Sequence, residues 1–375
     1  MFRHIVYFTI LLGVTNAIVH KFFAQYRLTN EAARIRQNAL ERRRFQEIRE
    51  FYHQNELPPS MTQTFVAEVD LWYSSDLCII SSSANLSSVA DGLPEKHTYD
   101  PSESSSFVDL NKNFTDWGCG DGKNGSDKVT IDTVSANVIM GVVDDIGSEF
   151  KYYPIDAVLG LNPNIPKTNT DNLVSQLVAG LDKPIMTWWQ NVSIYNEGTA
   201  QLTLGGEDAN NCQSSYTYVP QLCDEFGYGD FRVHLASGSI DGMPNYVKKF
   251  NKSLEVWRGN RRNYCDDDFF YLMTDASNAT WNETIDDWEV DCDVTKAKNI
   301  TLNIGSDGNT ADGKTKQLVM TGADYIQYIP QYDTCIVYAN HYKYVRIMEL
   351  RSRFLNNHCV AYNAKEKTIG FADVK

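Results

Sequence analysis

Two carboxyl groups a few ångströms apart can share one proton, one of them activating a water molecule while the other polarises a carbonyl. Candidates for such a pair are few in this chain. Asp70 follows the alternating run Phe65-Val66-Ala67-Glu68-Val69 and precedes Leu71-Trp72-Tyr73-Ser74-Ser75-Asp76. Far downstream, Asp266-Asp267-Asp268 and Asp275 form a second acidic group. Such a pair titrates as a unit, so neither member works alone. Trp72, Tyr73, Trp257 and Arg258 offer a different chemistry, because rings and a guanidinium can hold a peptide or a glycan by stacking and cation–π contact, or simply fill space. The eight cysteines show no C-x-x-C spacing, and no metal, nucleotide or haem motif stands out, so no metal or cofactor is expected.

These residues must be positioned by strands. From Phe65 to about residue 220, short runs of β-formers alternate with turn residues, which predicts an all-β lobe. A second lobe is expected over 221–375, with a strand at Phe231-Arg232-Val233-His234-Leu235, a turn at Ser237 to Gly242 and a helix from Asp267 to Trp281. In that helix Asp275 reads as a solvated residue.

Motif after motif in this stretch resembles the pepsin-like aspartic proteases. Ser74-Ser75-Asp76-Leu77 and Tyr99-Asp100-Pro101-Ser102-Glu103-Ser104-Ser105-Ser106-Phe107 match the opening of that family. Trp117-Gly118-Cys119-Gly120-Asp121-Gly122 before Ile131-Asp132-Thr133-Val134 is similar to its flap hairpin, with Trp117 in place of the flap tyrosine. Asp156-Ala157-Val158-Leu159-Gly160-Leu161, Leu202-Thr203-Leu204-Gly205-Gly206 and Ile369-Gly370-Phe371-Ala372 resemble further family blocks. The resemblance covers roughly 60–375 and implies a bilobal double β-barrel, all-β with a few short helices, around a central cleft. It also implies that Asp156 is structural.

The family's two catalytic Asp-Thr-Gly motifs are where the resemblance fails. An ungapped fit puts Leu71-Trp72-Tyr73 at the first and Trp257-Arg258-Gly259 at the second, leaving Leu71 and Trp257 in the catalytic positions. Tyr73 then brings a large ring where the family has a glycine that permits a tight turn. Glu349-Leu350-Arg351-Ser352 likewise stands where the family has Ile-Leu-Gly-Asp. The implied protein is a non-catalytic relative whose cleft, with Trp72, Tyr73, Trp117, Arg258 and Gly259, holds a peptide or protein ligand. The alternatives are an active endopeptidase using Asp70 with a displaced partner such as Asp275 or one of Asp266 to Asp268, and a structural or inhibitory glycoprotein acting through its outer surface.

Residues 1–17 read as a signal peptide, with Arg3 and His4, a short apolar run and Thr15-Asn16-Ala17 as cleavage site. The run is too short to span a bilayer. Residues 18–57 read as a basic propeptide, or a retained N-terminal helix, before the linker Leu57-Pro58-Pro59-Ser60. Residues 1–57 carry nine Lys or Arg against five Glu, leaving 25 basic and 43 acidic residues in 58–375. That acidic surface argues against nucleic acid or an anionic membrane as partner and suits a secreted monomer. Eight sequons agree with export, at Asn85, Asn113, Asn124, Asn191, Asn251, Asn278, Asn282 and Asn299. Eight cysteines in an oxidising compartment suggest up to four disulfides. The resemblance implies Cys292–Cys335; Cys212–Cys359, Cys78–Cys119 and Cys223–Cys265 are hypotheses for the rest, since sequence does not fix connectivity.

Overall fold

A computed structural model describes residues 18–25, 67–70, 77–91, 93, 95–116, 118–131, 134–152, 155–163, 172–192, 197–222, 230–244, 246–256, 262–305, 315–343, 345, 347–350 and 352–375. Residues 1–17, most of the basic segment after Gln25, Leu71 to Tyr73, Trp117, Cys223 and Trp257 to Gly259 lie outside the described residues.

Strand β1 (Ile18–Gln25) begins at the residue after the expected signal cleavage point. The first lobe is then built from β2 (Ala67–Asp70), β3 (Leu77–Ile80), β4 (Val108–Asp116), β5 (Gly120–Ile131), β6 (Val134–Ile146), the short helix α1 (Ser148–Tyr152) and β7 (Ala157–Gly160). Its sheet has the order β2-β7-β3-β6-β5-β4. β3 is buried along its whole length, because both faces of the sheet are covered. Leu77 and Ile79 join the main core, while Cys78 and Ile80 pack on the other face with Phe114, Cys119, Phe150 and Ile155.

Helix α2 (Leu173–Val178) covers β6, and the chain then passes into β8 (Ile185–Val192), β9 (Glu197–Leu204) and β10 (Thr217–Pro220). The second lobe contains β11 (Arg232–Ile240), β12 (Val247–Val256), β13 (Asn263–Asp266), helix α3 (Asp267–Ser277), β14 (Thr280–Asn282), β15 (Asp287–Val290), β16 (Ile300–Gly305) and β17 (Thr315–Met320). Helix α4 (Gly322–Tyr325), β18 (Ile326–Ile329), β19 (Thr334–Val337), β20 (Ala339–Tyr342), β21 (Ile347–Leu350), β22 (His358–Asn363) and β23 (Thr368–Asp373) complete it. A seven-stranded sheet, β17-β16-β11-β12-β21-β13-β20, and a four-stranded one, β14-β15-β19-β18, form this lobe.

The lobes share a six-stranded sheet of order β1-β9-β8-β22-β23-β10. It has a pseudo-twofold pattern: hairpin β8–β9 from the first lobe meets hairpin β22–β23 from the second across β8–β22, and each hairpin takes one flanking strand, β1 or β10. Trp188 and Tyr362, both fully buried, lie in the one core cluster that extends into both lobes. The expected all-β, two-lobed architecture is therefore present, and part of the segment read as a propeptide supplies an edge strand of the shared sheet.

Local expectations differ in two places. The helix expected to reach Trp281 stops at Ser277, because Asn278 adopts the left-handed cap (φ 53°, ψ 38°) with its N–H bonded to the Thr274 carbonyl, and Trp281 then pairs with Trp288 in a hairpin. The turn expected at Ser237–Gly242 is strand as far as Ile240, since β11 is hydrogen-bonded on both sides, to β12 and β16; the chain turns only after it, with Gly242 at φ 75°.

Three disulfides form, Cys78–Cys119, Cys212–Cys359 and Cys292–Cys335. The fourth suggested pair, Cys223–Cys265, is corrected: Cys265 is a free, buried thiol whose Sγ donates to the Asn340 carbonyl at 3.8 Å, on the core side of β13.

His358 illustrates the cost of burying a titratable group. Its Nε2 donates to the Val319 carbonyl at 3.0 Å, its Nδ1 has no hydrogen-bond partner, and burial pushes its pKa down to about 4. The folded state holds the neutral ring, so this contribution is intact above pH 6.5 and is lost as pH falls towards 4. Replacing it with His358→Gln, which keeps an amide donor but does not titrate, should remove about 3 kcal/mol of acid sensitivity across that window. Urea midpoints of both proteins at pH 7.5 and pH 4 test this; parallel losses of stability would show that the imidazole is not responsible.

Candidate functional site

Each lobe contains the same crossing of strands. In the first, β7 lies between β2 and β3, parallel to β2 with Val69 opposite Leu159 and Asp70 opposite Gly160, and antiparallel to β3 with Leu77 opposite Leu159. In the second, β21 lies between β12 and β13, parallel to β12 with Val256 opposite Leu350, and antiparallel to β13 through Tyr264 opposite Glu349. Strands β2 and β12 thus end at equivalent places, before residues 71–76 and 257–262. Ala157 and Leu159 of β7 and Met348 and Leu350 of β21 all enter the main core; matching the last core residue of each strand, Leu159 with Leu350, sets Val69 against Val256. The next residue along is Asp70 in one lobe and Trp257 in the other. Strand register therefore brings Asp70, one position before Leu71, into correspondence with Trp257.

Two strand–loop–strand crossings of this kind, one per lobe and joined by a shared six-stranded sheet, accompany a match of residues 61–374 to the family model "Eukaryotic aspartyl protease". The chain belongs to the eukaryotic aspartyl protease family. Among curated proteins it is similar to "Aspartic protease 17" of Caenorhabditis elegans, 24% identical over 221 residues, or 56% of this chain and 54% of that protein. The match thus spans about half the length of that relative.

In this aspartyl protease family member a buried polar network ties the two crossings together. Asn162, two residues past Gly160, donates through Nδ2 to Asp230 Oδ1 at 2.9 Å. Arg232 donates through Nη2 to Asp230 Oδ2 (2.5 Å) and through Nε to Glu255 Oε2 (3.2 Å). Glu255 is the neighbour of Val256 in β12, and Val256 N–H itself bonds to the Phe231 carbonyl. All four side chains are at least nine-tenths buried. Buried charges are tolerated only when paired and hydrogen-bonded, so this bridge holds the loop ends at a fixed spacing.

The downstream carboxylates have other work. Asp266 caps α3 by accepting from the Phe269 N–H at 2.9 Å and pairs with Lys252. Asp267 is bonded to His341 Nδ1 at 2.7 Å, Asp268 to Lys248 Nζ at 2.8 Å, and Asp275 accepts from the Tyr246 hydroxyl. Asp275 is exposed on α3. Asp156 accepts from the His97 backbone N–H and from its Nδ1, both at 3.0 Å, as a structural residue would. Beside it Lys96 donates to the Ile155 carbonyl at 2.7 Å, and burial pulls its pKa down to about 8 against the attraction of Asp156.

The expected flap residue Trp117 lies outside the described residues. After it, Gly118 and Cys119 lead into β5, whose Gly120 stands opposite Ile146 of β6. They are held by Cys78–Cys119, by Gly147 N–H to the Cys119 carbonyl and by Glu149 N–H to the Gly118 carbonyl. Gly120, at φ 113°, leaves no room for a Cβ, which would lie 2.0 Å from the Asp145 carbonyl oxygen.

Asn162→Leu removes the bond between the lobes while conserving volume, and should cost about 1–3 kcal/mol. A urea titration measures it. An unchanged midpoint would show that the network does not bind the lobes together.

Proposed function

We propose that this chain is a secreted member of the aspartyl protease family that binds a peptide or protein ligand in its interlobe cleft without hydrolysing it. The observation that carries the reading is the correspondence of strand ends. On the ungapped sequence fit both catalytic positions are lost, to Leu71 and Trp257; on strand register the first is Asp70 and the second is still Trp257. Either way the second lobe contributes no carboxylate at its strand end. A lone carboxylate cannot share its proton with a partner, and the general acid–base help of about 10² to 10⁴ in rate per group is missing. Trp257, Arg258, Trp72 and Tyr73 fall in the same loops and supply rings and a cation for binding.

Export is supported by the three disulfides and by the sequons of the chain. The acidic balance of 58–375 suits a soluble glycoprotein and a ligand of basic character.

One observation favours a second reading, an acid endopeptidase built on Asp70. Asp70 is the last residue of β2, where the segment 71–76 begins. Its partner would have to be Asp275 or one of Asp266 to Asp268, and each of these is engaged by Tyr246, Lys252, His341 or Lys248.

Incubation of the purified protein with a broad peptide library between pH 3 and 7, with and without a transition-state inhibitor of aspartic proteases, separates the two. The expected result is no inhibitor-sensitive cleavage, together with retention of a subset of peptides on the immobilised protein. Cleavage that the inhibitor blocks and that Asp70→Asn abolishes would overturn the non-catalytic reading.

A further inference from the structure

Sequons differ in what their asparagines do in the fold. Asn85, Asn113, Asn251, Asn278 and Asn299 are exposed; so is Asn191, but Ser193 of its sequon lies outside the described residues. Three of them use only the carbonyl oxygen: Asn85 Oδ1 accepts from the Ser87 N–H (3.0 Å), Asn113 Oδ1 from Lys123 Nζ (2.7 Å) and Asn251 Oδ1 from His234 Nε2 (2.8 Å). Asn278 stands at the left-handed cap of α3 and Asn299 just before β16. Asn124 is the opposite case. It lies in the middle of β5, between β4 and β6, is buried, and spends its Nδ2 on the Asn113 carbonyl at 3.3 Å.

A second observation points to what covers part of the surface. Trp281 is half exposed and packs on half-buried Trp288 (6.1 Å between ring centres), which in turn meets buried Phe270 (5.9 Å); Phe270 stacks on His341 (4.0 Å), with exposed Tyr271 beside it. The exposed face of Trp281 is apolar area that a neighbouring group can cover. The sequons Asn278-Ala279-Thr280 and Asn282-Glu283-Thr284 stand immediately on either side of Trp281. Asn282 is half-buried and holds Glu289 Oε2 through Nδ2 at 2.7 Å, which leaves Asn278 as the open one of the two.

We propose that N-linked glycans occupy Asn85, Asn113, Asn251, Asn278 and Asn299, that the Asn278 glycan shields Trp281, and that Asn124 is bare in the folded protein. The proposal rests on the export reading above. In the reaction Asn Nδ2 attacks the anomeric carbon of an oligosaccharide carried on a lipid diphosphate. The C1–N bond forms, the C1–O bond to the diphosphate breaks with its electron pair, and one amide proton passes to a base; nothing is oxidised or reduced. Oδ1 of Asn85, Asn113 and Asn251 keeps its bond, and Asn278 and Asn299 are exposed, so the five sites accept the sugar without loss. At Asn124 a sugar would force β5 away from its neighbours, and chains so modified would not reach the folded, secreted population. On β4, an edge strand, the Asn113 glycan also blocks pairing with another chain.

The test is expression of the full chain in cells with a secretory pathway. Protein from the medium is treated with a peptide N-glycosidase in ¹⁸O water and its peptides are mapped by mass spectrometry. Labelled aspartate is expected at the five positions and unmodified asparagine at 124. Asn124→Gln should leave the secreted yield unchanged, and Asn278→Gln should raise binding of a hydrophobic dye to the secreted protein. Label at Asn124, bare asparagine at the five sites in a secreted, disulfide-bonded protein, or no rise in dye binding would overturn the inference alone. Absence of label with free thiols at Cys78, Cys119, Cys212 and Cys359 would overturn the export reading and the inference with it.

Discussion

Parallel pairing of β2 with β7 and of β12 with β21 is the constraint on which the rest of this molecule depends. Each of these two crossings threads a strand between the two arms of a loop, so the loop ends cannot move without breaking a buried ladder. The core makes that ladder rigid: β7 and β3 are buried along their lengths, and so are the inward residues of β21. Asn162, Asp230, Arg232 and Glu255 then link one crossing to the other through side chains that have little access to water. That linkage ties the two crossings to one another.

The non-catalytic reading proposed above rests on residue types at the strand ends, where Asp70 closes β2 and Val256 closes β12 before Trp257. A binding cleft needs the spacing of the lobes but not a proton-sharing pair of carboxyl groups.

Buried titratable groups pull the pH dependence of the fold in two directions. His358, held neutral, favours the folded state at neutral pH. Asp324 does the reverse: it is fully enclosed with Thr321 and Asn357, and burial lifts its pKa to about 7 despite the backbone bond from Thr321 and the nearby Arg353. Its protonated form is the one the fold accepts, so its contribution is fully present below about pH 4 and is lost as pH rises through 7. Between them the two groups flatten the response across mildly acidic conditions.

The sequence by itself determined the all-β class, the two lobes and the family blocks, because these rest on strand periodicity, turn residues and ordered motifs that are local in the chain, whereas it suggested four cysteine pairs of which the packed fold forms three. Asp156 was legible as structural for the same reason. Tertiary structure alone decided the rest. Strand register ends β2 at Asp70, opposite Gly160, which an ungapped fit of Ser74-Ser75-Asp76-Leu77 does not reveal. Packing also left Cys265 as a lone buried thiol and joined Asn162 to Asp230 across the lobes. Each of these depends on contacts between residues distant in sequence, where pairing, burial and hydrogen-bond partners are set by the packed fold and not by neighbouring residue types.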